Sequence, residues 1–499
     1  MSASSPDTDI ADVCLILEGC YPFVFGGVSS WTHTLIASLP ETTFHVVSIQ
    51  PEGADLTSKY GPLPNLIGQT TIILKRDRSL PRAALRGERP LADVLEGAFF
   101  EASAKDFAEL IDLLPPSAPL RNARDAEIWN LARDMYNRLA PATSFQQFFW
   151  VWYTLQNSVM QVLQYAAPRA GVYHAISTGY AGLFGAAATR RTGRPLLLTE
   201  HGIYTNERTV ELMASVALHD SFESDAYLSD QRPDARDVWI RAFESMGRLC
   251  YDSSSRITSL SRSAQAAQHR LGAAPEKTQV IANGIDLERF SGIQLKGPRS
   301  GKVVAFIGRV VSIKDVDTFI RAMDIVFQAH PDAEGWIVGP EDEEPEYARK
   351  CHETVASLGI GSQLKFLGMR DVAKIIAQVD MIVLTSLSEG QPLTLLEAGA
   401  AGLPCVATDV GSCRDIIEGF GDGPSDETPG GYITELMSPQ GTAEAIMKLL
   451  NDPEEARRRG AALKARVRDQ FGLEKMCRAY ADLYEAHSGR EALPDVSEA

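Results

Sequence analysis

The chain has 499 residues, 44% hydrophobic and 23% charged, the make-up of an ordinary globular protein with several domains. Its 65 acidic against 48 basic residues give a formal charge of −17, a poor footprint for nucleic acid or an anionic membrane surface, which call for clustered cations. No apolar run nears the roughly 20 residues that span a bilayer, the start at Met1–Asp9 lacks a basic signal-peptide region, and seven cysteines form no C-x-x-C pair, so a cytoplasmic protein with reduced thiols is expected.

Short Val/Ile/Leu runs alternate with amphipathic stretches, the pattern of βαβ units and parallel sheets. Strands are expected at Val13–Leu17 and Phe44–Ile49, with a Gly26-Gly27 turn and a helix from Val28 to about Leu39 between them. From about 75 to 165 the pattern turns helical and aromatic, ending in Phe148–Tyr153, which reads as an insertion whose aromatic run packs as core. Strand patterns return at Val172–Ile176, Pro195–Thr199, Ile257–Leu260 and Gln279–Ile281. Ser291–Gly301 is polar, aperiodic and Gly/Pro-bearing, the best linker in the chain. A second alternation follows, with strands at Val303–Ile307, Gly335–Val338, Leu364–Leu367, Met381–Leu384 and Pro404–Ala407, helices between them, a loop at Gly419–Gly431 and polar helices to about His487. The division expected is therefore 1–295, 296–470 and a C-terminal helix with a tail over 471–499. The fold class is α/β, two facing Rossmann-like doubly wound domains, whose ligand would lie at the carboxyl ends of the strands, between the domains.

The most informative stretch is Met381–Gly402. It reads as a strand, a loop, and a helix with Pro392 in its first turn and Gly402 past its end. The amides of Gly390, Gln391 and Leu393 are then open donors at the positive end of a helix, a seat for an anion. Glu389 before the helix and Glu397 within it are strong acceptors for a ligand's hydroxyls. Singly, each has a plain reading, as a dipole-complementing residue and a solvated helix residue. Glu397, however, sits in an apolar Leu-Leu-Glu-Ala-Gly-Ala context and needs a partner. The second element is Val303–Asp315, a strand running into Gly308-Arg309 with Lys314 five residues on. An ordinary charged loop would contribute little. At this place, in an acidic chain, Arg309 as a fork and Lys314 as a point charge suit a pyrophosphate.

Gly308-Arg309…Lys314, Glu389-x7-Glu397, Gly26-Gly27-Val28 and Asn283-Gly-Ile-Asp286 together resemble the donor site of family 4 retaining glycosyltransferases with the GT-B fold. Longer strings at Leu17–Trp31, Leu198–Arg208 and Gly339–Tyr347 resemble, more narrowly, the PelF family of cytosolic glycosyltransferases in bacterial Pel exopolysaccharide synthesis. The resemblance spans about residues 10–487. It implies an acceptor-side N-terminal domain, a nucleotide-sugar-binding C-terminal domain, and a C-terminal helix returning to the first. It also implies that Arg309 and Lys314 hold the donor diphosphate, Glu397 the ribose hydroxyls and Glu389 the donor sugar. The Gly390, Gln391 and Leu393 amides would serve sugar and phosphates, and Gly26 and Gly27 would bring backbone close to the phosphate. His201 would sit by the reacting carbon, and Asn283 and Asp286 would organise the hinge. Asp315 departs from the pattern, since many members have glycine there, which places an extra carboxylate near the clamp.

For His201 the competing reading is a core histidine satisfied by backbone. The acidic run Glu341–Glu346 reads as a solvated helix start. Metal and hydrolase motifs such as H-E-x-x-H and G-x-S-x-G are absent; Asp7-Thr-Asp9 and Asp315-Val-Asp317 make no persuasive metal site. The expectation is metal-independent, cofactor-free transfer of a hexose from a UDP-sugar, UDP-glucose by resemblance, to a Pel-type glycan. Inner-membrane synthase or export subunits would be partners and could hold the chain peripherally at the membrane. A catalytically silent UDP-sugar scaffold or sensor and a sucrose- or glycogen-type synthase remain alternatives.

Overall fold

The computed structural model describes residues 10–75, 79–81, 88–116, 120–122, 126–141, 144–205, 235–295, 302–419 and 428–488. Two compact units emerge. One comprises Met1–Ser259, Gln265–Gln279 and Tyr480–Ala499, the other Leu260–Ala264 and Val280–Ala479.

The first unit is built on strands β1 (Ala11–Glu18), β2 (Phe44–Pro51), β3 (Leu66–Leu74), the short β4 (Ser79–Pro81) and β5 (Leu120–Asn122), β6 (Ala170–Ala175), β7 (Leu196–Glu200), β8 (Arg256–Ser259) and β9 (Thr278–Val280). Seven of them form one sheet in the order β3-β2-β1-β6-β7-β8-β9, while β4 and β5 pair antiparallel on their own. β1 runs parallel to both β2 and β6, and Val13, Leu15 and Leu17 are fully buried beside Cys14 and Ile16, so the strand reads as one apolar run rather than an alternation. β3 has no counterpart in the expected strands. Its Gly-Gln-Thr-Thr centre lies at the sheet edge, where half-buried polar residues suffice. The expected helical insertion is present as helices Leu91–Phe100, Ala104–Leu113, Ala126–Leu139 and Phe145–Gln164. Phe148, Phe149, Trp152 and Tyr153 are buried in the core, as expected of the aromatic run, and Trp150 is exposed.

The C-terminal Tyr480 and Tyr484 belong to this unit. Tyr484 bonds buried His174 at Nδ1 (2.8 Å), and Thr199 bonds the same ring at Nε2 (2.7 Å). Burial lowers the His174 pKa to about 3, so the ring is neutral and needs one donor and one acceptor. Tyr484→Phe leaves a buried nitrogen unsatisfied, and urea unfolding should show a loss of about 1–3 kcal/mol.

The second unit carries β10 (Lys302–Ile307), β11 (Ala333–Val338), β12 (Leu364–Gly368), β13 (Met381–Leu384), β14 (Cys405–Thr408) and β15 (Gly431–Thr434) in the order β12-β11-β10-β13-β14-β15, all neighbours parallel. Both faces are covered. Val303, Ala305 and Ile307 enter one apolar layer, and Val304 and Phe306 the other, the two-residue period of a strand buried on both sides. β15 went unforeseen because it follows the loop expected at Gly419–Gly431, of which 420–427 lie outside the described residues.

The chain enters this unit at Val280, ahead of the expected 295/296 division. Ile285 and Phe290 are buried in its core, and the Ile285 amide donates to the Phe471 carbonyl at 3.0 Å. Apolar packing, not the polar Ser291–Gly301 stretch, sets the boundary; residues 296–301 lie outside the described ones.

Candidate functional site

The order β12-β11-β10-β13-β14-β15 means that the chain leaves β10 toward one edge and returns at β13 to build the other. The crevice at the carboxyl ends of two such strands is where open parallel sheets receive ligands. Gly308, Arg309 and Lys314 follow β10, and Glu389 to Leu393 follow β13. The sequence candidates of this unit thus fall at its switch point.

Two loops are stitched together there. Lys314 closes a short 3-10 turn at Ser312–Lys314, and Asp315, at φ 45°, caps the next helix by accepting from the Thr318 amide (3.3 Å). The Leu387 amide donates to the Ile313 carbonyl (2.9 Å), and the Thr385 hydroxyl donates to the carbonyls of Lys314 (3.2 Å) and Asp315 (2.8 Å). Lys314 Nζ meets Glu389 Oε1 at 2.5 Å, and the Ser386 hydroxyl donates to the same oxygen at 2.5 Å. Their side chains are only 18% and 9% exposed, so this pair is screened far less than a surface bridge. Arg309 is half-exposed and pairs with Glu343, while Glu344 accepts from the amide and hydroxyl of Ser312. The run Glu341–Glu346 is therefore more than the solvated helix start expected of it. It buttresses the loop of the candidate clamp, a role that its acidic spacing gave no sign of.

The helix Leu393–Ala401 begins with Pro392 as N-cap rather than inside the first turn, carries no side-chain cap, and ends on Gly402 in the left-handed conformation. The amides of Gly390, Gln391 and Leu393 donate to no described residue, as an anion seat requires. The Gln391 side chain points elsewhere: its Oε1 accepts from the Asn283 amide at 2.6 Å and its Nε2 donates to the Asn283 carbonyl at 3.4 Å. Asn283 thereby braces the loop, and its own Oδ1 is buried without a partner among the described residues. Asp286 accepts from the amides of Glu288 and Arg289 as the cap of helix Leu287–Ser291. That helix packs on Leu393–Ala401. Glu397 is largely buried, and none of the described residues hydrogen-bonds its carboxylate; burial raises its pKa to about 7, with the Arg289 charge pulling the other way. Arg289, Ser386, Glu343 and Gly411 are site-supporting residues that the sequence did not reveal, because each acts through a fold-level neighbour.

Gly411 lies after β14 at φ 54°, and the backbone amide of the next residue, Ser412, donates to the Gly390 carbonyl at 3.0 Å. A Cβ on Gly411 would stand 2.1 Å from the Glu389 carbonyl oxygen. Only glycine fits such an approach at positive φ. Gly411→Ala should displace the Glu389–Gly390 loop and lower the melting temperature, with the fold kept by circular dichroism.

In the first unit Gly26 and Gly27 start helix Gly27–Ser38, are exposed, and a Cβ on either would meet nothing within 4 Å. His201 follows β7, and its ring stands edge-on to Trp31 at a centroid distance of 4.5 Å. Burial lowers its pKa to about 4. Its Nε2 is buried with no partner among the described residues, so the reading of a core histidine satisfied by backbone does not fit that nitrogen.

Residues 11–276 match the family described as Domain of unknown function (DUF3492), and residues 301–452 match Glycosyl transferases group 1. N-acetyl-alpha-D-glucosaminyl L-malate synthase of Bacillus anthracis is 29% identical over 249 residues, 48% of this chain and 61% of the relative, so the chain spans about three-fifths of that protein. D-inositol 3-phosphate glycosyltransferase of Streptomyces scabiei is 25% identical over 349 residues, 66% of this chain and 71% of the relative. Among solved structures, HepE of Anabaena with UDP and glucose matches 95% of this chain and 100% of its own at TM-score 0.58 and 17% identity. Sucrose-phosphate synthase of Thermosynechococcus elongatus matches 95% and 98% at TM-score 0.58 and 16% identity. At such identities the two structures speak for the fold alone, which is GT-B.

Proposed function

Since the chain belongs to the DUF3492 family and carries a Glycosyl transferases group 1 domain on a GT-B fold, we propose that it transfers glucose from UDP-glucose to a growing Pel-type exopolysaccharide, with retention of configuration and without a metal ion. The observation that carries the reading is the half-buried Lys314–Glu389 pair beside the open amides of Gly390, Gln391 and Leu393 at the switch point of the second sheet.

As the glycosidic bond lengthens, negative charge grows on the departing diphosphate. Arg309, Lys314 and the helix amides are fixed in advance where that charge would develop, so little reorganisation accompanies the reaction. They supply the positive charge for which other folds use a divalent ion. Glu397 accepts from the ribose hydroxyls and Glu389 from the donor sugar, while Lys314, held beside Glu389, faces the phosphate. By the resemblance, His201, neutral at pH 7 and with an Nε2 that has no partner among the described residues, serves the reacting sugar, and Gly26 and Gly27, where a Cβ would meet nothing within 4 Å, serve the phosphate. The departing phosphate takes the acceptor proton on the same face, which accounts for retention without a covalent nucleophile. The donor identity leans on the narrower sequence resemblance and on the UDP and glucose bound by HepE. No helix among the described residues is long and apolar enough to cross a membrane, so polymer export would fall to membrane subunits.

Calorimetry with UDP-glucose, UDP-N-acetylglucosamine, GDP-glucose and ADP-glucose, each in EDTA and in Mg²⁺, tests the reading, followed by product analysis with a glycan acceptor. Tight UDP-glucose binding in EDTA and release of UDP with an α-linked product are expected. UDP binding without turnover on any acceptor would make the chain a scaffold, and no binding of any nucleotide sugar would remove the reading altogether.

A further inference from the structure

In the first unit a surface pocket of about 290 Å³ lies between helix Ala235–Ser253, the end of helix Arg262–Arg270 and the turn after helix Leu91–Phe100. Arg241 and Arg248 stand two turns apart on one helix, which puts both guanidinium groups on one face, and Arg270 joins them from the neighbouring helix. None of the three makes an ion pair or hydrogen bond with a described residue. Elsewhere in the chain Arg138, Arg190, Arg321, Arg349 and Arg414 each hold a carboxylate. Glu101 and Glu244 line the same pocket and pair with none of the three. Arg241 lies 5.9 Å from the centre of the Phe100 ring. The backbone is also strained here, since Ala102 takes φ 52° at the turn, a conformation that costs about 1 kcal/mol or more outside glycine.

We infer that this pocket binds a phosphorylated sugar. Three guanidinium forks lining one pocket, none with a partner among the described residues, suit a phosphate's oxygens, while the carboxylates of Glu101 and Glu244 accept from hydroxyls. The volume is several times the roughly 30 Å³ share of one water, so it suits a small organic phosphate rather than a lone ion. The pocket lies wholly within one unit and stands independently of the donor reading.

Glucose 6-phosphate titrated by calorimetry into the full-length protein tests it. Arg309→Ala should leave the affinity unchanged. Arg248→Ala or Arg270→Ala should weaken it about tenfold or more, with the matching Lys variants recovering part through charge without the fork. Glucose should not bind, and inorganic phosphate should bind less tightly than the sugar phosphate. The inference is overturned if Arg241→Ala/Arg248→Ala/Arg270→Ala, folded by circular dichroism, binds as the parent does, or if glucose 6-phosphate does not bind at all. Arginine-dependent capture on phosphatidylglycerol vesicles but not phosphatidylcholine, without a response to glucose 6-phosphate, would assign the pocket to a lipid headgroup and equally overturn it.

Discussion

Replacing Lys314 with alanine is expected to lower kcat/KM for UDP-glucose about 10²–10³-fold, the loss associated with one preplaced donor to a developing negative charge. Lys314 is the better protected of the two cations, 18% exposed against 49% for Arg309, so its charge acts through less water. Its removal has a second effect. Glu389, 9% exposed, then keeps the Ser386 hydroxyl as its one partner among the described residues, and its uncompensated charge faces the phosphate. Arg309→Ala should cost less, about tenfold to a hundredfold, because solvent and Glu343 already share that guanidinium. Steady-state turnover with each variant, alongside circular dichroism, measures both. A Lys314→Ala protein that turns over donor at the parental rate contradicts the clamp.

Glu397 should give the molecule an opposed dependence of stability and binding on pH. Burial holds its carboxyl near 7 in the folded protein against 4.5 ordinarily. Between those values the folded protein keeps a proton that the unfolded chain has released, so stability falls as pH rises across that window and the ionised form is disfavoured by about 3 kcal/mol above it. Donor binding runs the other way, since ribose hydroxyls donate to the ionised form, and affinity should climb as pH passes upward through about 7. Glu397→Gln should therefore raise the melting temperature at pH 8, leave it nearly unchanged at pH 4, and flatten and weaken UDP binding at least tenfold. A melting temperature unaffected at pH 8, or UDP binding that keeps its pH dependence, contradicts this role.

What the sequence disclosed was local. Pro392 and Gly402 mark the ends of one helix because cap chemistry depends on a few adjacent residues, and the alternating buried runs of β10 and β13 follow from a two-residue period. The position of Glu389 before a helix and of Arg309 after a strand could be read in the same way. Their partners could not. Lys314 and Glu389 are 75 positions apart, Arg309 and Glu343 34 apart, and only the sheet order joins them. The carboxylates of Glu341–Glu346 look solvated in one dimension, yet two of them hold the β10 loop. The polar edge strand β3 and the early entry into the second unit at Val280 were hidden for the same reason, because edge position and tertiary packing leave little trace in composition.

The account rests on one diphosphate being held by the β10 loop and the tip of helix Leu393–Ala401. A crystal structure with UDP bound measures this directly. The account predicts phosphate oxygens within about 3 Å of Lys314 Nζ, the Arg309 guanidinium and at least one amide among Gly390, Gln391 and Leu393, with the ribose hydroxyls on Glu397. UDP seated away from these residues, or with its diphosphate in solvent and the Lys314–Glu389 pair undisturbed, would contradict it.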